Sequence, residues 1–134
     1  MKEVLLFIWQ LPQNILGLLV ILFTGARKWN SFYWRSSRGR FGVSLGCFIV
    51  FGALSDKYIR WSSIKHERGH QKQSLYLGPL YLLLVGLPSV CLNLWDKLFH
   101  KKWSDDRREE WYYSRYPENW ADRLGGVNRD TIRI

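Results

Sequence analysis

Residues 66–94 read HERGHQKQSLYLGPLYLLLVGLPSVCLNL. The stretch begins polar and turns almost wholly apolar from Leu75 onward, so a hydrophilic helix is expected to run straight into a hydrophobic segment. Its first five residues, His66 to His70, form an H-E-x-x-H pattern. On a helix, residues four apart lie on one face about one turn from each other, so both imidazoles can reach a single tetrahedral Zn²⁺. Glu67 follows the first histidine directly and is placed to take a proton from a water molecule at the metal. The chain has three histidines, and two of them stand here. The competing reading is a polar helix end with two solvated histidines.

Three-ligand catalytic zinc sites keep a fourth position for water. The other potential donors, His100, Cys47 and Cys91, compete with residues 114–122, SRYPENWAD, as the source of the third ligand. The acidic segment is the better source. Pro117 favours a first helical turn, which puts Glu118 and Asp122 at i and i+4 on one face. One carboxylate can bind metal, while the other can accept the free N–H of a liganding imidazole and fix its tautomer. Taken alone, the pair reads better as a solvated acidic face.

The succession of H-E-x-x-H and S-R-x-x-E-x-x-A-D resembles the membrane-embedded zinc proteases of the CAAX prenyl endopeptidase and HtpX heat-shock type. The second motif matches at Ser114, Arg115, Glu118, Ala121 and Asp122. The resemblance implies that His66, His70 and Glu118 bind zinc, that Glu67 activates water and that Asp122 orients a ligand. It covers two short motifs in a chain much shorter than members of that family, so substrate class does not carry over.

Composition points to a membrane. The chain is 47% hydrophobic and formally +9, and its apolar residues are concentrated in runs. Residues 4–23 carry no charge, and 20 helical residues cross about 30 Å of hydrocarbon. Arg27 and Lys28 follow, as at a cytoplasmic exit, so residues 1–25 are expected to form a spanning helix. Gln10, Pro12, Gln13 and Asn14 interrupt it, either as a kink with satisfied polar groups or as a polar lining near the site.

Topology constrains the second apolar run, residues 75–98. The proposed zinc ligands flank it, and residues 101–110 are too charged to return through lipid. The run is therefore expected to dip and return as a re-entrant hairpin turning near Gly86 to Pro88, after a first break at Gly78 and Pro79; a site sunk in the bilayer is the alternative.

Residues 29–54 are expected to form a β-hairpin, with Phe32 to Trp34 joined to the β-branched run from Phe41 by a basic turn. Its edge could accept an extended peptide, or it could cover the catalytic helix. Residues 26–73 hold ten Lys and Arg against two Asp and Glu, which suits a cytoplasmic face and anionic headgroups. No nucleic-acid motif accompanies the charge, so nucleic acid is not an expected partner. Cys47 and Cys91 are expected to be reduced and buried, and residues 128–134 a loose or edge-pairing tail.

The expected fold is thus a single, mainly α, integral-membrane domain. It comprises a spanning helix (1–25), a β-hairpin (29–54), the H-E-x-x-H helix (56–74), a re-entrant apolar segment (75–98) and C-terminal helices carrying the third ligand (104–127). The expected function is zinc-dependent endopeptidase action on a peptide segment at the membrane surface, with the site on the cytoplasmic face. An oligomer or partner subunit is compatible with it. Arg115, Tyr112, Tyr113, Tyr116 and His100 are the candidate oxyanion or substrate contacts. The alternative is a non-catalytic membrane subunit or binding protein with a structural or vestigial zinc site.

Overall fold

The computed structural model describes residues 1–53 and 61–132. The expected N-terminal span is broken. Helix α1 (Lys2–Trp9) and helix α2 (Leu11–Thr24) meet at an 85° bend. Gln10 leaves the helical region at φ −104°, and Pro12 stands in the first turn of α2. The bend turns Gln10, Gln13 and Asn14 inward, where all three are buried. Gln13 Nε2 donates to Ser74 Oγ at 2.8 Å and to the Gly78 carbonyl at 2.9 Å. Ser74 Oγ donates to Gln10 Oε1 at 2.6 Å, and Asn14 Oδ1 accepts from the Cys47 amide at 2.7 Å. These residues are a polar seam that docks the bend onto the rest of the chain, a kink as the first alternative has it, though Gln13 Oε1 is left without a hydrogen-bond partner among the described residues.

Four short strands follow: β1 (Arg27–Lys28), β2 (Trp34–Arg35), β3 (Gly42–Leu45) and β4 (Phe48–Phe51), ordered β1-β2-β4-β3. The pairing differs from the expected hairpin. The apolar run folds back on itself over Gly46 and Cys47 to give antiparallel β3–β4, while β2 joins β4 in parallel, with Trp34 opposite Val50. Cys47 and Cys91 are free thiols as expected, but both are exposed rather than buried. Tyr33, Ile49 and Phe51 pack with Ile64 as the apolar core beneath the sheet.

Helix α3 (Trp61–Leu77) carries H-E-x-x-H; residues 54–60, the expected end of the hairpin and start of this helix, lie outside the described residues. Gly78, at φ +54°, ends α3, and the chain turns through a 3-10 segment (Gly78–Leu80). A π-helical turn (Leu82–Gly86) then leads into helix α4 (Leu87–Phe99).

The hairpin expected near Gly86 to Pro88 does not form. Gly86 and Leu87 are both right-handed helical, and Leu82–Phe99 is one continuous helical path. Pro88 cannot donate to the carbonyl four residues back, and Tyr116 Oη donates to that Leu84 carbonyl instead, at 2.5 Å. The π turn absorbs the proline ring, so the helix passes it unbroken.

Helix α5 (Asp105–Tyr113) returns alongside α4, with Ser104 Oγ as its N-cap. Arg108 clasps the Asp96 carboxylate through Nε at 3.1 Å and Nη2 at 2.7 Å. Helix α6 (Glu118–Gly125) then packs against α3, and a short α7 (Arg129–Ile132) follows. At the α3–α6 crossing, a Cβ on Gly69 would meet the Ala121 carbonyl at 1.9 Å, and one on Gly125 would meet the Lys65 carbonyl at 2.0 Å. The two backbones touch, which is what brings a carboxylate on α6 within reach of imidazoles on α3.

Candidate metal centre

His66 and His70 project from α3 with their rings 4.7 Å apart and almost perpendicular. Glu118, only 1% exposed, sits between them. Its Oε2 lies 3.0 Å from His66 Nε2 and 3.0 Å from His70 Nε2. His66, His70 and Glu118 form a buried group that could hold a metal ion. An ion with bonds of about 2.0–2.2 Å at the tetrahedral angle keeps its ligand atoms roughly 3.3–3.6 Å apart, so Glu118 Oε2 need move from each imidazole by only a few tenths of an ångström. Two imidazoles and a carboxylate are a donor set that suits zinc.

Each ligand is held from behind. Asp122 Oδ1 lies 2.7 Å from His66 Nδ1. Gln73 Oε1 lies 2.7 Å from His70 Nδ1, and Gln73 Nε2 donates to the Pro117 carbonyl at 3.1 Å. Both rings are thereby set to present Nε2 to any ion held between them. Glu118 Oε1, the oxygen away from the histidines, accepts from Ser89 Oγ and from Tyr112 Oη, the latter at 3.2 Å. Asp122 is itself gripped by Arg129, whose Nε donates to Oδ2 at 2.8 Å and Nη2 to Oδ1 at 2.9 Å.

The electrostatics follow from this packing. Burial alone would lower the His66 pKa, but hydrogen bonds to Asp122 and Glu118, with the charge of Glu67, raise it from 6.5 to about 9. Burial works to raise Glu118, yet the hydrogen bonds from His66 and His70 hold it well below the usual carboxylate range. For Asp122, hydrogen bonds from His66 and Arg129 likewise win over burial and lower it.

Glu67 is pushed the other way: burial raises it, against the pull of the two histidines. Its Oε2 is one of the buried side-chain atoms without a hydrogen-bond partner among the described residues. Glu67 lines a cavity of about 880 Å³ together with His66, His70, Glu118, Tyr81 and Tyr112. A buried carboxylate oxygen with no protein partner beside a metal-capable cluster is placed to hold a water molecule.

The remaining sequence candidates separate. Tyr112 and Tyr113 line the cavity. Burial and the Glu118 charge push the Tyr112 hydroxyl up, so it stays a donor. Tyr113 packs its ring 5.1 Å from His66. His100, Arg115 and Tyr116 do not reach the site. His100 stacks on Trp103 and pairs with Asp96, Arg115 lies over the Trp111 ring, and Tyr116 is spent on Leu84. The sequence reading missed Gln73, Ser89, Tyr81 and Arg129. Gln73 was available in principle, since it stands one turn after His70 on the same face. The other three arrive from α4, the preceding turn and α7, and no local spacing marks them.

Comparison of the chain with protein-family models, with curated proteins and with solved structures finds no match.

Proposed function

We propose that this protein is a membrane-associated zinc-dependent endopeptidase. One observation carries the reading: a buried His66, His70, Glu118 cluster shares a cavity with Glu67, whose buried Oε2 has no hydrogen-bond partner among the described residues. A purely structural zinc site would be closed by four protein ligands and would have no use for a base. When bound, the ion supplies Lewis-acid polarisation of a carbonyl and a lowered pKa for water. Glu67 takes the proton of the attacking water and passes it to the leaving amine, a role favoured by its raised pKa. Asp122 and Gln73 keep the imidazoles oriented, and Tyr112, which lines the cavity and bonds Glu118 Oε1 at 3.2 Å, is a hydroxyl that could turn to a developing oxyanion. The resemblance of the two motifs to membrane zinc proteases supports the same assignment.

Membrane association rests on where the exposed apolar side chains lie. Val4, Leu5, Ile8, Leu22 and Phe23 on α1 and α2, and Leu83, Leu87 and Val90 near α4, are all more than half exposed. Leu82–Phe99 is long and apolar enough to cross a bilayer by length and composition. However, α5 returns beside its second half with Asp105, Asp106, Glu109 and Glu110 exposed. Those charges are excluded from hydrocarbon, so we read this helix as seated in the interfacial layer rather than as a straight crossing. The basic flank of residues 26–73 supports a seat on anionic headgroups, and with it the cytoplasmic face.

The test is metal analysis and caseinolysis of detergent-purified protein and its Glu67→Gln variant. About one zinc per chain in both, with hydrolysis lost only in the variant, is the expected result. Equal activity in the two would end the protease reading. Zinc without hydrolysis in the wild-type protein would instead favour the non-catalytic alternative.

A further inference from the structure

Helix α4 divides into two faces. Leu87, Val90, Leu94 and Leu98 recur at helical spacing along one side, and each is more than half exposed. Ser89, Leu92 and Asp96 recur along the opposite side, which faces the rest of the chain. No residue of α4 is fully buried, and Leu92, half-buried, is the one large apolar side chain in the inner set. The inner face is therefore tied down mainly by polar bonds. Asp96 takes the Arg108 clasp from α5, and Ser89 Oγ donates to Glu118 Oε1. Helices in folded proteins are fixed chiefly by burial of an apolar face. In α4 that face points outward, so whatever covers it also decides where the helix sits. On the reading above, the cover is lipid.

Ser89 is the point at which the position of α4 reaches the metal centre. Oε1 and Oε2 of Glu118 belong to one rigid carboxylate plane. A bond that holds Oε1 therefore also aims Oε2 at His66 and His70, 3.0 Å from each Nε2. Tyr112, in the last turn of α5, holds the same Oε1 at 3.2 Å. Arg108 ties α5 to α4, so both donors are carried by one pair of helices.

We propose that Ser89 is a positioning residue for Glu118, through which the seating of α4 in lipid tightens the metal centre. This rests on the zinc site and the membrane association proposed above and adds a regulation to them. With α4 seated, Ser89 holds Oε1 and the three ligand atoms converge. With α4 lifted out of lipid, that hold is lost and metal affinity falls.

The experiment follows zinc affinity and the seat of α4 together, in purified full-length protein added to phosphatidylcholine vesicles. Competition with a chromogenic chelator reads the affinity. An environment-sensitive dye on Cys91, an exposed thiol of α4, reads the seat, with Cys47 replaced by serine. Wild type is compared with S89A, S89T, L94Q/L98Q and the combination of S89A with L94Q/L98Q. Leu94 and Leu98 do not line the cavity, and circular dichroism confirms that each variant folds. Dye emission should shift to the blue with vesicles in wild type and S89A, and much less in L94Q/L98Q. S89A should bind zinc about tenfold more weakly, whereas S89T, which keeps the hydroxyl, should stay close to wild type. L94Q/L98Q should lose a similar factor. The combined variant should lose no more than S89A alone, because the coupling runs through Ser89.

A combined loss equal to the product of the separate losses would make the two effects independent and overturn the coupling. Unchanged zinc affinity in S89A or in L94Q/L98Q, or an equal loss in S89A and S89T, would overturn it too. No dye shift in wild type, or a full shift in L94Q/L98Q, would remove the lipid seat of α4. Flotation of the same sample then shows whether membrane association as a whole fails with it. Absence of zinc binding in wild type would overturn the metal reading and this inference together.

Discussion

At the scale of single residues, the centre is defined by what stands behind each ligand. Asp122 serves two partners, His66 and Arg129, and its usefulness to the first depends on being held by the second. Asp122→Ala should weaken zinc affinity by roughly 10–100-fold, as loss of an outer partner does elsewhere. Arg129→Gln should give a smaller loss in the same direction, because Asp122 keeps its bond to His66 but not its position. Competition with a chromogenic chelator measures both. His66 makes a pH prediction. Its folded pKa of about 9 stands above the ordinary 6.5, so its contribution is complete below pH 6.5 and is lost as pH rises through about 9. Chelator-treated protein should therefore lose thermal stability across that window. Zinc-loaded protein should not follow it, since a liganded imidazole carries no proton to lose.

At the scale of elements, the α3–α6 contact decides whether the site exists. Gly69 occupies a free position of H-E-x-x-H, and nothing in that motif requires glycine there. The requirement comes from the Ala121 carbonyl, 1.9 Å from where a Cβ would sit. Gly69→Ala should force the helices apart, cost about 3 kcal/mol and abolish tight zinc binding while leaving all three ligands in place. Thermal unfolding and zinc titration would show both effects. Tyr116→Phe is milder. It leaves the Leu84 carbonyl without the donor that replaces the one lost at Pro88, and should cost about 1 kcal/mol without changing metal content. The re-entrant turn fails for the same local reason. A glycine and a proline permit a break, but Tyr116 and the π turn repair the helix, and only the three-dimensional structure brings Tyr116 to that carbonyl.

At the scale of the whole molecule, the chain brings Glu118 back to His66 and His70 by going out along α4 and coming back along α5. Residues 26–53 and 100–132 should accordingly lie on one side of a membrane. With Cys47 and Cys91 replaced by serine, cysteines placed at Ser31 and Ser104 should both react with an impermeant reagent from the same side of sealed vesicles. Reaction from opposite sides would exclude this path.

The sequence by itself determined which side chains make up the candidate centre. The i, i+4 histidines, the adjacent Glu67 and the i, i+4 carboxylates are local patterns, and helical periodicity alone puts each pair on one face. It also determined that long apolar runs flank a basic segment. Tertiary structure decided the rest. It chose which carboxylate oxygen meets both imidazoles, recruited Gln73, Ser89 and Arg129, and dismissed His100, Arg115 and Tyr116. It also bent the first apolar run at Gln10 and paired β4 with both β2 and β3. The reason is range: periodicity reports neighbours within a turn or two, whereas these outcomes depend on buried polar groups finding partners far along the chain. Gln13 is an example. Read in sequence it interrupts a hydrophobic helix; in the fold its amide nitrogen is bound to Ser74 and Gly78, and the bend exists to bring it there.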